Sequence, residues 1–358
     1  MHNSLLINLA VLFDRPTGIA TYAQNIINSL DSLQPTLLAA RSFSAFKHYP
    51  IPGDMTPAQG SKGHLKRLLW TQFQLPQIYQ RLNADLIYSP IPEAPLFSKA
   101  RSVVMCHDLI PLRFPRLTSP LTNYFRYVVP QVLKQAEHII CNSQATATDL
   151  VDYYGISAKK ITPILLGYDR TNFYPREQTN SEAPYFLYLG RPDPYKNLAR
   201  LITAFATLPT QDYHLAIAGS SDPRFTPQLQ QQAQELGIGD RVKWLNYISY
   251  EELPVVISNA VALVFPTLWE GFGLPVLEAM ACGTPVITSD LASLPEITGD
   301  AAVLIDPYNI AEITFAMLAV AEDSAMRLQL KQLSLEQARQ FCWEKTGRET
   351  KEVLVRFL

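Results

Sequence analysis

Residues 264–278 read Val264-Phe265-Pro266-Thr267-Leu268-Trp269-Glu270-Gly271-Phe272-Gly273-Leu274-Pro275-Val276-Leu277-Glu278. The apolar run Val261–Phe265 that leads into them is nearly continuous, as in a strand covered on both faces. Gly271 and Gly273 then break the pattern, and Pro275 suits the first turn of a helix, where a missing N–H costs little. Strand, glycine turn and helix make one β–α unit of a parallel sheet. At that junction the N–H groups of Phe272, Gly273 and Leu274 would lie at a positive helix end, a natural anion site. Glu270 precedes the helix and Glu278, eight positions on, lies one turn inside it. The two carboxylates need not meet and can hold different parts of one elongated ligand. A plain turn with two solvated carboxylates explains the same residues equally well.

The same alternation extends outward through the whole chain. Towards the amino terminus, strand-like runs occur at Leu5–Phe13, Thr36–Ala40, Asp85–Ser89, Ser102–Cys106, His138–Asn142 and Ile161–Leu165. In the second half they occur at Tyr185–Leu189, Leu215–Ala218, Val242–Leu245, Val261–Phe265, Pro285–Thr288 and Val303–Ile305. Ile19, Tyr22, Ala23, Ile26 and Leu30 recur at helical spacing between the first two runs. The expected fold is α/β, with two doubly wound, Rossmann-like sheets facing one another across a cleft. Asp169 to Ala183 is polar, contains Pro175 and lacks periodicity, so it reads as the connection between a domain over 1–170 and one over 183–342. Ser334–Leu358 reads as one or two amphipathic helices.

The length of 358 residues suits two domains at roughly 150 residues each. With 47% hydrophobic residues, each half has material for a core. Thirty Lys and Arg against 32 Asp and Glu leave a net charge of −2, without the basic surplus of a phosphate-neutralising nucleic-acid binder. Cys106, Cys141, Cys282 and Cys342 are far apart, which fits reduced thiols of a cytoplasmic protein rather than a disulfide framework or zinc site. Leu5–Phe13 follows no basic segment and reads as a buried strand, not a signal peptide. No run of about 18 apolar residues is present to cross a membrane. Lys62, Lys66 and Arg67, interleaved with Leu65, Leu68, Leu69, Trp70 and Phe73, allow weak peripheral contact with an inner membrane face. The reading adopted there is a helix packed on the sheet with a solvated basic edge. Gln228–Gln234 reads as an exposed helix face.

Four features in order carry a family resemblance: Pro16-Thr17-Gly18-Ile19 after the first strand, His107-Asp108, Gly190-Arg191-Pro192-Asp193-Pro194-Tyr195-Lys196, and Glu270 with Glu278 around EGFGLPVLEAMACGTPVI. Together they resemble the GT4 family of retaining glycosyltransferases with the GT-B fold, and the resemblance covers essentially the whole chain. It implies that Glu270 approaches the donor sugar hydroxyls and that Glu278 accepts from the ribose. Carboxylates suit that task because each accepts charge-assisted hydrogen bonds from several hydroxyls. The resemblance further implies that Phe272, Gly273 and Leu274 hold sugar and phosphate oxygens through backbone N–H groups, and that Arg191 and Lys196, beyond Gly190, hold the diphosphate. His107 would face the sugar near its reactive carbon. Asp108 would accept from the ring, position the acceptor or brace the loop. Gly18 would let the backbone approach the donor phosphate or the acceptor, although one glycine stands where many relatives show two. Tyr247 and Ile248 occupy the region that reads the base, next to Asn246 in place of a commoner Gly. The last helix, from about Trp343, would return to the first domain, so that 343–358 belong with 1–170.

The activity so implied is transfer of a hexose from a nucleoside diphosphate sugar to a carbohydrate, lipid-linked or small-molecule acceptor, with retention. His107-Asp108-Leu109-Ile110-Pro111 looks most like the mannosyltransferase-like subgroup, which makes GDP-mannose the first expectation and UDP-glucose the second. No cofactor and no metal are expected, because no Asp-x-Asp occurs in the sequence. A catalytically silent nucleotide-sugar-binding module is the main alternative. An NAD-dependent enzyme ranks well behind, since no GxGxxG is present.

Overall fold

The computed structural model describes residues 4–12, 18–116, 119–177 and 183–358. They form two compact units, one holding the chain up to Gly167 together with Trp343–Leu358, the other holding Tyr168–Cys342. In the first unit the strands are β1 (Leu5–Asn8), β2 (Thr36–Ala39), β3 (Lys47–Pro50), β4 (Leu86–Ser89), β5 (Ser102–Cys106), β6 (His138–Cys141) and β7 (Ile161–Pro163). They pair in the order 3-2-1-4-5-6-7, every pair parallel. In the second unit β8 (Tyr185–Leu189), β9 (His214–Ala218), β10 (Val242–Asn246), β11 (Ala262–Phe265), β12 (Val286–Ser289) and β13 (Val303–Ile305) pair in the order 10-9-8-11-12-13, again all parallel.

Both orders are doubly wound, and each sheet reverses direction once, at β1/β4 and at β8/β11. Open α/β sheets bind ligands at that switch point, beyond the carboxyl ends of the strands. Strands β1, β4, β5, β6, β11 and β12 are buried along their whole length, which is why they read as unbroken apolar runs. The one strand the pattern did not reveal is β3. Its residues Lys-His-Tyr-Pro are exposed or half-buried at the sheet edge, where pairing with β2 alone needs no apolar face.

Helix α1 (Gly18–Ser29) buries Ala20, Tyr22, Ala23, Ile26 and Ile27. The helix Trp343–Val355 lies against it, and a Cβ on Gly347 would fall 2.0 Å from the Ser29 Cβ, so only glycine permits this approach. Helix α2 (Gly60–Phe73) keeps Lys62 and Lys66 solvated, as expected, but departs from the expectation at Arg67. Arg67 points inward and is 5% exposed, whereas Leu65, Leu69 and Phe73 face outward at 56%, 49% and 67%. The Gln-rich segment is the outer face of helix Thr226–Glu235. The stretch read as a connection starts inside the second unit. Asn172 Nδ2 donates to the Tyr250 carbonyl at 2.8 Å, and Phe173 packs edge-on against the Tyr250 ring. Among the described residues no helix is long and apolar enough to cross a membrane.

Candidate active site

In the second unit the loops that follow β8 and β11 meet at the switch point. Leu268 N donates to the Tyr195 carbonyl at 2.7 Å, and Thr267 Oγ1 reaches the same carbonyl at 3.1 Å. Asn197, 4% exposed, donates from Nδ2 to the carbonyls of Pro266 (2.9 Å) and Pro307 (2.6 Å). It adopts φ +63°, a left-handed conformation that asparagine tolerates better than most residues. These bonds fix the loops so that Lys196 Nζ contacts Glu270 Oε1 in an ion pair mostly shielded from water. The ammonium also lies 5.0 Å from the centre of the Phe265 ring. Arg191 behaves differently: its guanidinium stays largely exposed and pairs with the buried Asp193 at 2.8 Å. The structure therefore joins Lys196 to Glu270 and leaves Arg191 at the rim.

Gly273 caps the helix Leu274–Ala281 at φ +111°, and a Cβ there would lie 2.7 Å from Leu294 Cδ2. The dihedral requires glycine, and a side chain would also have to displace Leu294. Pro275 occupies the first turn and Phe272 is buried against Phe341. Ser293, fully buried, places its hydroxyl 2.6 Å from the Phe272 carbonyl and 3.1 Å from that of Glu270, which pins the glycine turn from below. Glu278, partly exposed on the second turn, is pushed up to about 8 by burial, with the nearby Asp169 charge adding to the effect. Asp169 itself accepts from Tyr250 Oη at 3.1 Å and from the backbone N–H of Thr171 at 2.9 Å.

Beside this lies a cavity of about 330 Å³ whose lining includes Gly190, Gly219, Ser220, Asp222, Trp244 and Asn246. Gly219 has φ +150°, and a Cβ on it would sit 2.1 Å from the Gly190 carbonyl oxygen. The ends of β8, β9 and β10 are stitched by Gly190 N to Ala218 O (2.9 Å) and Gly219 N to Asn246 O (2.8 Å). Asn246 stands at φ +55°, which accounts physically for a glycine being common there. Tyr247 and Ile248 follow on the same loop, Tyr247 with its ring exposed.

In the first unit His107 follows β5, next to the switch point. Its Nε2 lies 2.9 Å from the carbonyl of Pro90, the residue after β4, and its ring meets Tyr22 of α1 edge-on at 5.2 Å. Burial lowers its pKa to about 4, against the opposing pull of the Pro90 carbonyl, so the ring is neutral at physiological pH. A carbonyl can only accept, so Nε2 carries the proton and Nδ1 keeps its lone pair. Asp108 Oδ1 accepts from Ile110 N at 3.0 Å, which is the loop-bracing role among those open to it. Gly18 begins α1 with an exposed position, while Pro16 and Thr17 lie outside the described residues.

Several of these residues carried no sequence signal. Thr267, Asn197, Ser293 and Gly219 each bond to partners distant in the chain. Arg67 and Glu93 are another such pair, joined at 2.8 and 2.9 Å under the Pro90 loop. The polar groups at the second unit's switch point, a shielded ammonium beside a carboxylate and a glycine-capped helix, suit a ligand with phosphates and hydroxyls.

Comparison with known proteins agrees. A family profile described as Glycosyl transferases group 1 matches residues 169–336, and one described as Glycosyltransferase Family 4 matches residues 16–172. The chain is 25% identical over 291 residues to the O-antigen chain mannosyltransferase RfbU of Salmonella typhimurium, covering 78% of this chain and 80% of that protein. Sucrose-phosphate synthase from Thermosynechococcus elongatus superposes with a TM-score of 0.78 at 20% identity, over 99% of this chain and 98% of that one. Anabaena HepE, solved in complex with UDP-glucose, gives 0.77 at 18% identity over 99% of both chains. These two likenesses speak for the fold. Since the two family profiles together run from residue 16 to residue 336, the chain belongs to glycosyltransferase family 4 and is a glycosyltransferase of the GT-B fold.

Proposed function

We propose that the protein transfers a mannosyl group from GDP-mannose to a carbohydrate acceptor with retention and without a divalent metal. The observation that carries this reading is the Lys196–Glu270 pair held across the second unit's switch point. Lys196 supplies a fixed cation where the diphosphate acquires charge as the sugar bond breaks. Glu270 accepts from sugar hydroxyls, and the N–H groups at Gly273 and Leu274 take phosphate or sugar oxygens. Among the described residues no group of three or more His, Cys, Asp or Glu gathers to hold a metal ion. Gly190, Tyr247 and Ile248 border the base, Glu278 takes the ribose, and Arg191 swings in from the rim to the diphosphate. Gly18, which begins α1, leaves the backbone there open to the donor phosphate or the acceptor. His107, neutral with Nδ1 unprotonated, accepts a hydrogen bond from a sugar hydroxyl near the reactive carbon. The acceptor oxygen attacks on the face the phosphate leaves, and the leaving phosphate oxygen takes the acceptor's proton.

Mannose is favoured by the likeness to an O-antigen chain mannosyltransferase, and UDP-glucose is the second reading because HepE was solved with it. A lipid-linked acceptor is favoured by the outward stripe Leu65, Leu69 and Phe73 beside the exposed Lys62, which an anionic lipid surface would cover. The test is a melting-temperature screen of GDP, UDP and their sugars, followed by transfer with whichever donor stabilises the protein. Stabilisation by UDP-glucose but not GDP-mannose overturns the donor. Binding without transfer or hydrolysis makes the chain a silent module.

The raised carboxyl of Glu278 makes this reading sensitive to pH. Ribose hydroxyls donate best to the ionised form, which is scarce below about 8. Affinity for the nucleoside diphosphate should therefore rise with pH towards 8, by at most roughly tenfold per unit, and level off above it. Without ligand the sign is opposite: a carboxyl held protonated stabilises the fold fully below its ordinary 4.5, and that contribution is lost as pH rises through about 8. Calorimetric titration of wild type and Glu278→Gln from pH 6 to 9 checks both. An equal pH slope in the two proteins would remove Glu278 from the ribose.

A further inference from the structure

The loop after β4, Pro90-Ile91-Pro92-Glu93-Ala94-Pro95, has prolines at three of six positions. Only Ile91, Glu93 and Ala94 carry backbone N–H groups, so the loop has little means of ordering itself. Beyond one internal bond, Glu93 N to the Ile91 carbonyl at 2.7 Å, side chains from neighbouring helices order it. Tyr124 Oη reaches the Pro92 carbonyl at 3.3 Å, Gln72 Nε2 the Ala94 carbonyl at 3.1 Å, and Gln135 Nε2 the Pro95 carbonyl at 2.9 Å. At the centre Arg67 grips Glu93 with a two-pronged fork, Nε to Oε2 at 2.8 Å and Nη2 to Oε1 at 2.9 Å. Arg67 is anchored in turn by Nη1 to the Met55 carbonyl and Nη2 to His64 Nδ1, both at 2.9 Å.

Arg67 and Glu93 are 5% and 3% exposed. A buried ion pair recovers its desolvation cost poorly, and apolar residues of similar volume usually stabilise a fold as well or better. Stability alone therefore does not account for the pair. The loop that the pair grips at Glu93 begins with the Pro90 carbonyl, which meets His107 Nε2 at 2.9 Å.

We propose that Arg67 and Glu93 are positioning residues for sugar transfer, holding the Pro90 carbonyl so that His107 keeps its proton on Nε2 and presents an unprotonated Nδ1. The effect on transfer rests on the role given above to His107, whereas the effect on the ring does not. A fixed tautomer matters because only an unprotonated Nδ1 accepts from a sugar hydroxyl. The alternative tautomer would place a donor there and leave the Pro90 carbonyl facing a lone pair. Outer partners that set a histidine tautomer are worth roughly 10–100-fold in activity where measured at metal sites.

The test is the full-length Arg67→Met/Glu93→Leu double variant, in which neither charge is left unpaired, with Arg67→Lys, which keeps the charge without the fork, as a second variant. Selective 15N labelling of the six histidines, with His107→Gln to assign the signal, reports which ring nitrogen is protonated. We expect the double variant to fold, bind the nucleoside diphosphate within twofold of wild type, and show a mixed His107 tautomer. Its kcat should fall about tenfold or more with little change in donor KM. Arg67→Lys should lie between. A mixed tautomer with an unchanged rate would support the positioning and remove His107 from the reaction. A tautomer that stays wholly on Nε2 in both variants would overturn the proposal whatever the rate does.

Discussion

Replacing Lys196 with alanine is expected to lower transfer about a hundredfold or more while the protein still folds. The ammonium is held out of bulk water at the second unit's switch point, its side chain 14% exposed, with Glu270 on one side and the Phe265 ring on another. A charge kept there interacts more strongly than one in water and needs no reorganisation when the diphosphate leaves. Arg191, whose side chain is 68% exposed and paired with Asp193, is screened by solvent and does not replace it. Affinity for the nucleoside diphosphate should fall as well, but less than the rate, because Lys196 gains most from charge that develops in the transition state. Magnesium should not restore activity, and wild-type transfer should survive exhaustive EDTA treatment. Abolition by EDTA with recovery on added manganese or magnesium would mean that a metal holds the diphosphate.

The fold was legible because its physics is repetitive. Parallel strands buried on both faces read as apolar runs, and each run contains or closely overlaps an observed strand. Leu5–Phe13 holds only the four-residue Leu5–Asn8, and its end at Phe13 lies outside the described residues. The edge strand β3 escaped since half-exposed Lys47–Pro50 has no such run. Around the candidate site, strand ends and glycine turns marked the switch points, whereas the roles expected of Glu270, Glu278, Lys196 and His107 came from the family resemblance.

What stayed hidden are relations between distant residues. Nothing local announces that Asn197 will join Pro266 to Pro307, or that Ser293 will support the turn at Phe272. Arg67 looked like part of a basic surface since a helical wheel weighs only neighbours on the same helix. Its partner, 26 positions on, decides its direction. Protonation is non-local too: the neutral ring of His107 and the raised carboxyl of Glu278 follow from burial and from charges brought near by the fold.

The Glu270→Gln variant should lower the rate without lowering the affinity for the nucleoside diphosphate. Without ligand, Glu270 is the counter-ion of Lys196, so a diphosphate arriving at the switch point must share the ammonium with a carboxylate already in place. Glutamine keeps the size of the side chain and one carbonyl acceptor but removes the charge. Lys196 then meets less competition, and the nucleoside diphosphate should bind as tightly as to wild type or more tightly, by up to roughly tenfold if one charge–charge contact is relieved. The sugar, by contrast, loses a charged acceptor for its hydroxyls, and neutral acceptors are about half as strong. Transfer should fall on the order of a hundredfold, the scale seen when a single transition-state contact is removed. The loops should hold, because Leu268 N, Thr267 Oγ1 and Asn197 Nδ2 tie them with bonds that do not involve Glu270. Calorimetry with the nucleoside diphosphate, beside steady-state transfer, separates the two effects. If affinity falls in step with the rate, Glu270 acts only by shaping the Lys196 site, and its contact with the sugar is wrong.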